Sequence, residues 1–341
     1  MTGYNLLVVR KLPINAVCLW GALLLFVMGP HAIVLGRIAE QVIPLSIVEG
    51  DPTDPGRVFA VPIECNGVKT EFGLGCSGTT RISEGLAEQI HASVVPPDRD
   101  LKRHRAPDGK PIFAGTAVIS IRFGGLEGAV PVSVMKDEYC QKSERQGLLG
   151  YDVMKAFQFE VDPTAPSLTL RPLGTPPASK PLAILPLLRS TAAAYVKVRI
   201  RNVTADVQLM PASSYVQAGP MLQREWDLGS GKKIEPHDME INRFGNIRVL
   251  RLYGDDVVEL GNKLRETDLP VALLGDAKNP SATTMESSGI GQCLLNRFVW
   301  CVDPRRGQLR LMSRVQAPPP KPAVVTTRPS APVPASYKPD E

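Results

Sequence analysis

Two stretches of the chain match each other without a gap, and the rest of the sequence can be interpreted outward from them. Residues 61–83 read VPIECNGVKTEFGLGCSGTTRIS, and residues 196–217 read VKVRIRNVTADVQLMPASSYVQ, so the offset is 135 residues (196 − 61). Apolar and polar residues alternate on both sides of a turn, which falls at Asn66-Gly67 in the first stretch and at Arg201-Asn202 in the second. Period-two alternation around such a turn predicts a β-hairpin in each stretch.

A second pair of segments matches further along the chain. Residues 148–170 (LLGYDVMKAFQFEVDPTAPSLTL) align with residues 289–311 (GIGQCLLNRFVWCVDPRRGQLRL), at an offset of 141. Each segment contains a glycine, and the residues after it predict a short helix, a strand, an Asp-Pro turn and a closing strand. Agreement at both ends, in the same order, indicates a duplicated β domain of about 115–120 residues per copy.

Composition excludes several classes of protein. The 341 residues include 32 prolines and 29 glycines, which argues against a helix bundle and for a turn-rich β protein. The formal charge of +5 comes from 39 basic and 34 acidic residues and gives no support for a nucleic-acid binder. Only four histidines are present, and none are at metal-ligand spacing, so no metal site and no cofactor are expected.

The N-terminus has the pattern of a targeting segment. Arg10 and Lys11 precede an uncharged, largely apolar stretch from Ile14 to Gly36, which predicts export from the cytoplasm to the cell envelope. Two alternatives remain open: a signal peptide cut after Gly36, giving a secreted protein, or an uncut membrane anchor. The stretch exceeds the roughly 20 residues that span a bilayer. Because no Ala-x-Ala cleavage site is present, the anchor is favoured.

The cysteines agree only weakly with export. Cys18 lies in the apolar segment, and the five others are Cys65, Cys76, Cys140, Cys293 and Cys301. An odd number allows at most two disulfides, and none of the spacings forms a Cys-x-x-Cys pair. We therefore expect most of them to be buried free thiols, packed as small apolar side chains.

The first repeat resembles the retropepsin-like aspartic proteases. In that family a hairpin ends in a loop of the pattern hydrophobic-x-hydrophobic-Asp-Thr/Ser-Gly-Ala/Ser-Thr/Ser, and a Leu-Leu-Gly-x-Asp motif follows much later. Residues 72–90 (FGLGCSGTTRISEGLAEQI) are similar to the active-site loop and its helix, and residues 148–162 to the late motif. Residues 106–134 are similar to the flap hairpin and the strands behind it. The resemblance covers residues 58–170, but only the two ends of the second repeat.

The sequence departs from the family at the catalytic positions. Each half of such a protease contributes one aspartate, and the pair shares a proton. The resemblance aligns these aspartates with Gly75 and Met210, neither of which can exchange a proton, so we predict no catalytic residue. The residues expected to line the cleft belong to the two loops and the flap tip: Cys76, Ser77, Gly78, Thr79, Pro211, Ala212, Ser213, Ser214, Asp108 and Gly109.

No other carboxylate offers a replacement pair. The resemblance implies a structural role for Asp152, whereas Asp162 and Asp303 precede prolines at matching turns. Asp206 is expected to face solvent on its hairpin strand, and Asp108 to serve an Asp-Gly turn.

Two further features allow more than one interpretation. Cys76 could be a nucleophile, a disulfide partner of Cys65 or a packed thiol, and the packed thiol is favoured because a nucleophile needs a base and a lowered pKa. The basic run Arg99–Arg105 (RDLKRHR) is expected to be a solvated loop, with contact to an anionic lipid surface or a polyanion as the alternative.

The predicted architecture is an all-β chain of two retropepsin-like lobes in a pepsin-like bilobal arrangement, monomeric and with a pseudo-twofold axis. The predicted segments are a signal peptide or anchor (1–36), a linker (37–57), lobe 1 (58–171), a Pro-rich linker (172–188), lobe 2 (189–315) and a Pro-rich disordered tail (316–341). The predicted function is that of an exported, inactive aspartic-protease homologue that binds an extended peptide or a protein partner. The alternatives are an active peptidase with an unrecognised catalytic arrangement and a structural envelope module.

Overall fold

The computed structural model describes most of the two predicted lobes. The described residues are 39–49, 57–76, 78–106, 109–140, 146–188, 193–201, 203–213, 215–230, 238–242, 245–252, 257–261, 264–273 and 288–314. The predicted export segment and the Pro-rich tail lie outside these residues, and for them the sequence predictions stand untested. None of the helices in the described ranges combines the length and apolar character that a membrane crossing requires.

The first copy of the repeat contains ten strands and two α-helices within the described residues. The strands are β1 (Gln41–Pro44), β2 (Ser46–Glu49), β3 (Arg57–Cys65), β4 (Val68–Leu74), β5 (Arg81–Ser83), β6 (Phe113–Phe123), β7 (Leu126–Met135), β8 (Gly147–Leu149), β9 (Gln158–Asp162) and β10 (Ser167–Arg171). The helices are α1 (Glu84–Gln89) and α2 (Tyr151–Met154).

The second copy repeats this order with a longer helix and more broken strands. Its described strands are β11 (Ala183–Leu188), β12 (Tyr195–Ile200), β13 (Val203–Leu209), β14 (Val216–Ala218), β15 (Asp238–Asn242), β16 (Gly245–Leu252), β17 (Val258–Leu260), β18 (Leu264–Glu266), β19 (Leu269–Leu273), β20 (Gly289–Ile290), β21 (Val299–Asp303) and β22 (Gln308–Met312). The helices are α3 (Pro220–Ser230) and α4 (Gln292–Leu295).

Both predicted hairpins are present. β3 pairs with β4 through a turn in which Asn66 and Gly67 have φ of 46° and 88°. Positive φ at both central residues is the reason Asn-Gly favours this two-residue turn. β12 pairs with β13 in the same way, and Arg201 at that turn also has a positive φ, of 57°.

In each repeat, the second strand of the hairpin pairs in parallel with a short strand near the end of the repeat. Leu74 of β4 lies opposite Leu149 of β8, and Leu209 of β13 lies opposite Ile290 of β20, both in parallel pairs. These partners keep the sequence offsets of 135 and 141, so the predicted duplication is confirmed. The middle of each repeat, where the two sequences diverge, follows the same duplication. β5 pairs in parallel with β7 in the first repeat, and β14 pairs in parallel with β19 in the second.

The two lobes share a continuous sheet. β9 of the first lobe pairs with β21 of the second in antiparallel register, which gives the strand order β1-β10-β9-β21-β22-β11. On one face of this sheet the fully buried Trp300 packs edge-on against Phe159, with 6.1 Å between ring centroids. The apolar face joins the cores of both lobes into one cluster of buried residues.

Two segments predicted as linkers contain strands, and those boundaries were wrong. β1 and β2 lie within the predicted linker 37–57 and pair with β10 and β3. β11 lies within the predicted Pro-rich linker 172–188 and pairs with β22 and β12. In β11 the apolar side chains of Ala183 and Leu185 are buried, whereas Pro186 is exposed. Pro186 pairs with Gln308 of β22 alone, because β12 pairs with the following Leu187 and Leu188, and proline is tolerated where one side of a strand is unpaired.

Removing the indole at the lobe junction is expected to destabilise the whole protein. Trp300→Ala leaves a cavity in the shared core and should lower the free energy of unfolding by about 3–5 kcal/mol. Val118→Ala is the control, because Val118 is 66 % exposed and its truncation should change that free energy by less than about 0.5 kcal/mol. Urea unfolding followed by tryptophan fluorescence and circular dichroism measures both. Equal midpoints for the two variants would contradict this packing.

Candidate functional site

The site was predicted at two loops, one after β4 and one after β13. The backbone connects them through Ala194, the residue before β12. Ala194 N–H donates to the Cys76 carbonyl in the first loop (2.9 Å), and Leu209 N–H donates to the Ala194 carbonyl (2.8 Å). The first loop is therefore bonded directly to the second lobe, close to the start of the second loop.

Asp152 holds the first loop in place. Its carboxylate accepts bonds from Thr80 N–H (2.9 and 3.0 Å) and from Thr80 Oγ1 (2.8 Å). Thr80 is fully buried, and its hydroxyl accepts a bond from Gly150 N–H (3.0 Å). A carboxylate used in this way supports the backbone and is not available as a catalytic base, in agreement with the structural role implied by the resemblance.

The second loop is held by an amide in place of a carboxylate. At the offset of 141, Asp152 corresponds to Cys293, and the neighbouring Gln292 takes over its role. Gln292 Nε2 donates to the Pro211 carbonyl (2.7 Å), and Gln292 N–H donates to the Ser213 carbonyl (2.7 Å). Sequence reasoning missed Gln292. Its only signal was a polar residue directly after Gly291 in a segment that is otherwise apolar.

Gly75 has no room for a side chain. A Cβ atom built there would lie 2.8 Å from the Leu149 carbonyl oxygen and 3.0 Å from the Leu148 side chain. The close approach comes from the parallel β4–β8 pair, and Gly75 N–H donates to the same Leu149 carbonyl (2.9 Å). An aspartate cannot stand at this position without a shift of the backbone. The alignment of Gly75 with the first family aspartate is therefore wrong.

The turn geometry moves that alignment by one residue. Gly78 has a φ of +64°, which favours glycine, and it is the third residue of Cys76-Ser77-Gly78. Matching this glycine to the Asp-Thr/Ser-Gly pattern places Cys76 at the aspartate position, and the offset of 135 then gives Pro211 in the second repeat. Neither residue carries a carboxyl group. The predicted loss of both aspartates does not depend on the alignment.

Cys76 lacks the properties of a nucleophile. It is fully buried, and this burial raises the pKa of its thiol far above the ordinary value. The burial of Tyr151, together with the nearby Cys76, raises the pKa of the Tyr151 hydroxyl to about 12. Since the thiolate is the reactive form, Cys76 is held in the unreactive state. Neither His91 nor His104 is hydrogen-bonded to it, and His104 instead packs edge-on against Phe113.

The other cleft candidates differ in how they are placed. Gly78 and Thr79 are exposed, and the Thr79 hydroxyl lies 3.2 Å from the Ser133 hydroxyl. Ala212 and Ser213 are half-buried, and Ser213 Oγ accepts a bond from Gln217 Nε2 (2.8 Å). Three candidates lie outside the described residues: Ser77, Asp108 and Ser214.

None of the five cysteines in the described part of the chain forms a disulfide. Cys65, Cys76 and Cys301 are buried, and Cys140 and Cys293 are half-buried. The expectation of packed free thiols is confirmed for the buried three. Within the same residues, no group of three His, Cys, Asp or Glu side chains is placed to hold a metal ion.

A hairpin lies where the flap was predicted. Arg105 pairs with Pro111, Ala106 N–H donates to the Lys110 carbonyl (2.9 Å), and Gly109 N–H donates to the Ala106 carbonyl (2.8 Å). Gly109 has a φ of +80° and is exposed. The hairpin leads directly into β6.

Similarity to solved structures was found, whereas no protein-family model matches the sequence and no curated protein matches it. Basic 7S globulin from soybean is 9 % identical with a TM-score of 0.46, and conglutin gamma, a basic 7S globulin from lupine seeds, is 11 % identical with the same score. Each match covers 81 % of this chain and 95 % of the other. A retropepsin-like aspartic protease from Rickettsia conorii is 18 % identical over 42 % of this chain and 96 % of its own, with a TM-score of 0.25.

The topology decides the fold class. The chain is all-β, and its two lobes have equivalent hairpins, equivalent parallel strand pairs and equivalent closing strands. The lobes meet in one shared sheet. The fold is aspartic-protease-like. The arrangement predicted from the sequence is confirmed at this level.

A single methyl group at Gly75 should destabilise the first lobe. Gly75→Ala places a Cβ against the Leu149 carbonyl, and overpacking of this kind costs about 1–3 kcal/mol of unfolding free energy. Thr204→Ala, at an exposed position of β13, is the control and should stay within about 0.5 kcal/mol of wild type. Chemical denaturation measures both. A Gly75→Ala protein as stable as wild type would restore Gly75 as a position that can hold an aspartate.

Thiol labelling should separate the cysteines by burial. Burial raises the pKa of Cys65 and Cys301 to about 12 and that of Cys76 further, so at about pH 8 almost none of these thiols is ionised in the folded protein. Iodoacetamide should then modify the half-buried Cys140 and Cys293 first. In denaturant all five should react, as measured by peptide mass spectrometry. Labelling of Cys76 before unfolding would show that the first loop is open to solvent.

Proposed function

We propose that this protein is a non-catalytic aspartic-protease-like protein that binds an extended peptide segment of a partner between its two lobes. The observation that supports the proposal is the pair of loops where the catalytic carboxylates of such a fold would stand. Under either alignment these positions hold Gly75 or Cys76 in the first repeat and Met210 or Pro211 in the second. None of these residues can give or take a proton at neutral pH.

The missing carboxylates remove the hydrolytic chemistry. An aspartic protease needs one protonated and one ionised carboxyl group around a water molecule, and two close carboxylates share a single proton for that purpose. Asp152, which lies behind the first loop, already accepts three hydrogen bonds from Thr80. A single, half-buried carboxylate engaged in this way does not supply the pair of carboxyl groups that the reaction needs.

The framework that would bind a peptide is retained. Both loops keep their parallel strands and their polar supports, Asp152 in one lobe and Gln292 in the other. Extended peptides are recognised mainly through backbone hydrogen bonds to strand edges and loops, and this requires no catalytic group. Exposed Thr79 in the first loop and the hairpin at residues 105–111 supply polar surface on the same lobe.

We place this activity outside the cytoplasm, in the cell envelope. The support is the positive flank and apolar stretch up to Gly36, which would leave the lobes attached to the membrane or release them on cleavage. The partner would then be an exported protein, with no role for nucleic acid.

Peptide binding without turnover is the expected result. The full chain in neutral detergent should not cleave a fluorogenic peptide library between about pH 3 and 7, with or without pepstatin. It should, however, raise the fluorescence anisotropy of labelled decapeptides from the same library. Pepstatin-sensitive turnover by the wild type would overturn the non-catalytic assignment, and binding of none of the peptides would overturn the binding function.

A matched pair of variants locates the binding site. Thr79→Trp adds bulk at the exposed first loop and should weaken peptide binding by about tenfold or more. Thr204→Trp adds the same bulk at an exposed position of β13, near the hairpin turn and away from the loop, and should leave binding unchanged. Equal effects of the two variants would exclude the loop as the site.

A further inference from the structure

A cluster of basic side chains surrounds the hairpin of the first lobe. We define the cationic hairpin as the described residues 99–106 and 109–111, which comprise a 3-10 helix at Leu101–Arg103 and the two limbs closed by the Arg105–Pro111 pair. Its basic residues are all exposed: Arg99, Lys102, Arg103, Arg105 and Lys110. Lys110 lies outside the basic run of the sequence, and the hairpin places it next to that run.

Nearby acidic groups leave much of this positive charge in place. One oxygen of the Asp98 carboxylate caps the 3-10 helix by accepting bonds from Asp100 N–H (3.0 Å) and Leu101 N–H (2.8 Å). Asp100 pairs with Arg103 at 3.5 Å, and both side chains are exposed. Arg99 and Lys102 have no acidic partner within the described residues. Residues 98–111 contain five basic and three acidic side chains, one of them Asp108 outside the described residues.

The basic groups are held on a fixed backbone. Arg105 Nη1 donates to the Gly109 carbonyl (2.7 Å), and Ile112 N–H donates to the His104 carbonyl (3.2 Å). Arg105 lies opposite Pro111 and Lys110 is bonded through its carbonyl to Ala106 N–H, so the two basic residues are diagonal to each other on the two limbs of the hairpin. A backbone already ordered in this way loses little conformational entropy when a charged ligand binds.

An apolar strip continues from the cationic hairpin along β6. Val95 pairs with Thr116 of β6 through two backbone hydrogen bonds (2.8 and 2.9 Å), and Val118 lies two residues further on the same face. Val95 is 60 % exposed and Val118 is 66 % exposed. A partner that contacts both regions would combine negative charge with apolar or β-branched side chains.

We propose that the cationic hairpin binds acidic side chains, so that the peptide partner is an extended segment in which Asp or Glu alternates with apolar residues. This inference rests on the proposed peptide binding and adds the chemical class of the peptide. Carboxylates would pair with the guanidinium and ammonium groups around the hairpin, and the apolar residues would lie against Val95 and Val118.

The position of the hairpin favours a peptide over a lipid surface. β6 begins beside the hairpin at Phe113 and ends at Phe123, and its 11 residues span up to about 33 Å. At the far end, the Gly124-Gly125 turn packs against Ile43 and Gln41 of β1. The predicted membrane segment precedes β1, so it would join the lobe at the end of β6 that is remote from the basic cluster.

The test compares two labelled peptides that differ only in charge. One contains three repeats of Glu-Val-Glu-Thr, and the other has Gln in place of every Glu. The full chain in neutral detergent should bind the acidic peptide at least about tenfold more tightly at about 50 mM salt, with the preference approaching unity at about 500 mM.

Two triple variants with the same loss of charge test the location. Lys102→Gln/Arg105→Gln/Lys110→Gln should reduce the preference for the acidic peptide by about fivefold or more. Lys180→Gln/Arg224→Gln/Arg305→Gln removes three exposed basic residues elsewhere and should leave the preference intact. An equal loss in both variants would overturn the assignment to the hairpin.

The outcomes separate this inference from the proposed function. Equal affinity for the two peptides would overturn the acidic preference and leave peptide binding in place. Binding of neither peptide, nor of any library member, would remove the proposed function and the inference together. A third arm uses phosphatidylcholine vesicles with and without phosphatidylserine. In one outcome the wild type binds the anionic vesicles, only the hairpin variant fails to bind them, and the two peptides bind equally. This result would overturn the acidic-peptide preference and assign the basic cluster to lipid headgroups.

Discussion

The antiparallel pairing of β9 with β21 is the interaction on which the two-lobed structure depends. It joins equivalent strands of the two repeats, and the edge-on contact between the rings of Phe159 and Trp300 covers the junction on the apolar face. On the other face each lobe pairs its own buried charges, with Arg171 bonded to Glu160 (3.1 Å) in the first and Arg310 to Asp303 (2.6 Å) in the second. Because buried charges are already neutralised within each lobe, the junction is held by backbone pairing and apolar contact.

Both loops are held in place beside this junction, although neither loop contains an aspartate. In an active enzyme of this fold, one set of groups supports the loops and another transfers protons. Here the supporting set is present, as Asp152 in one lobe and Gln292 in the other. A support that satisfies buried N–H and C=O groups is needed for folding, because an unmet buried polar group costs about 1–3 kcal/mol. An aspartate that only transfers protons has no such role, so the fold does not require one.

The parts of the fold that sequence could predict are those with a local signal. Alternation and Asn66-Gly67 were sufficient to predict the hairpins, and the two constant offsets were sufficient to predict the duplication. β1, β2 and β11 were missed because prolines within or beside them suggested linkers, whereas they are short strands, and the prolines of β1 and β11 are exposed. The middle of the second repeat could not be aligned because its strands are broken, although β14 still pairs with β19 as β5 does with β7. The loop alignment failed by one residue, since the space around Gly75 is set by β8, about 75 residues further along the chain.

The same close packing limits how the site could ever recover chemistry. Cys76 and Pro211, which stand at the aspartate positions, are both buried, and their carbonyls are bonded to Ala194 and Gln292. A carboxylate introduced at either position would be desolvated and would hold its proton at neutral pH. Two such groups would lack the ionised carboxylate that activates water in aspartic-protease chemistry. The proposed ligand recognition therefore depends on the surfaces around the loops, where strand edges offer backbone pairing and the hairpin of the first lobe offers charge. In the proposed function the peptide is selected by its backbone and its charge, and such a selection needs no catalytic pair.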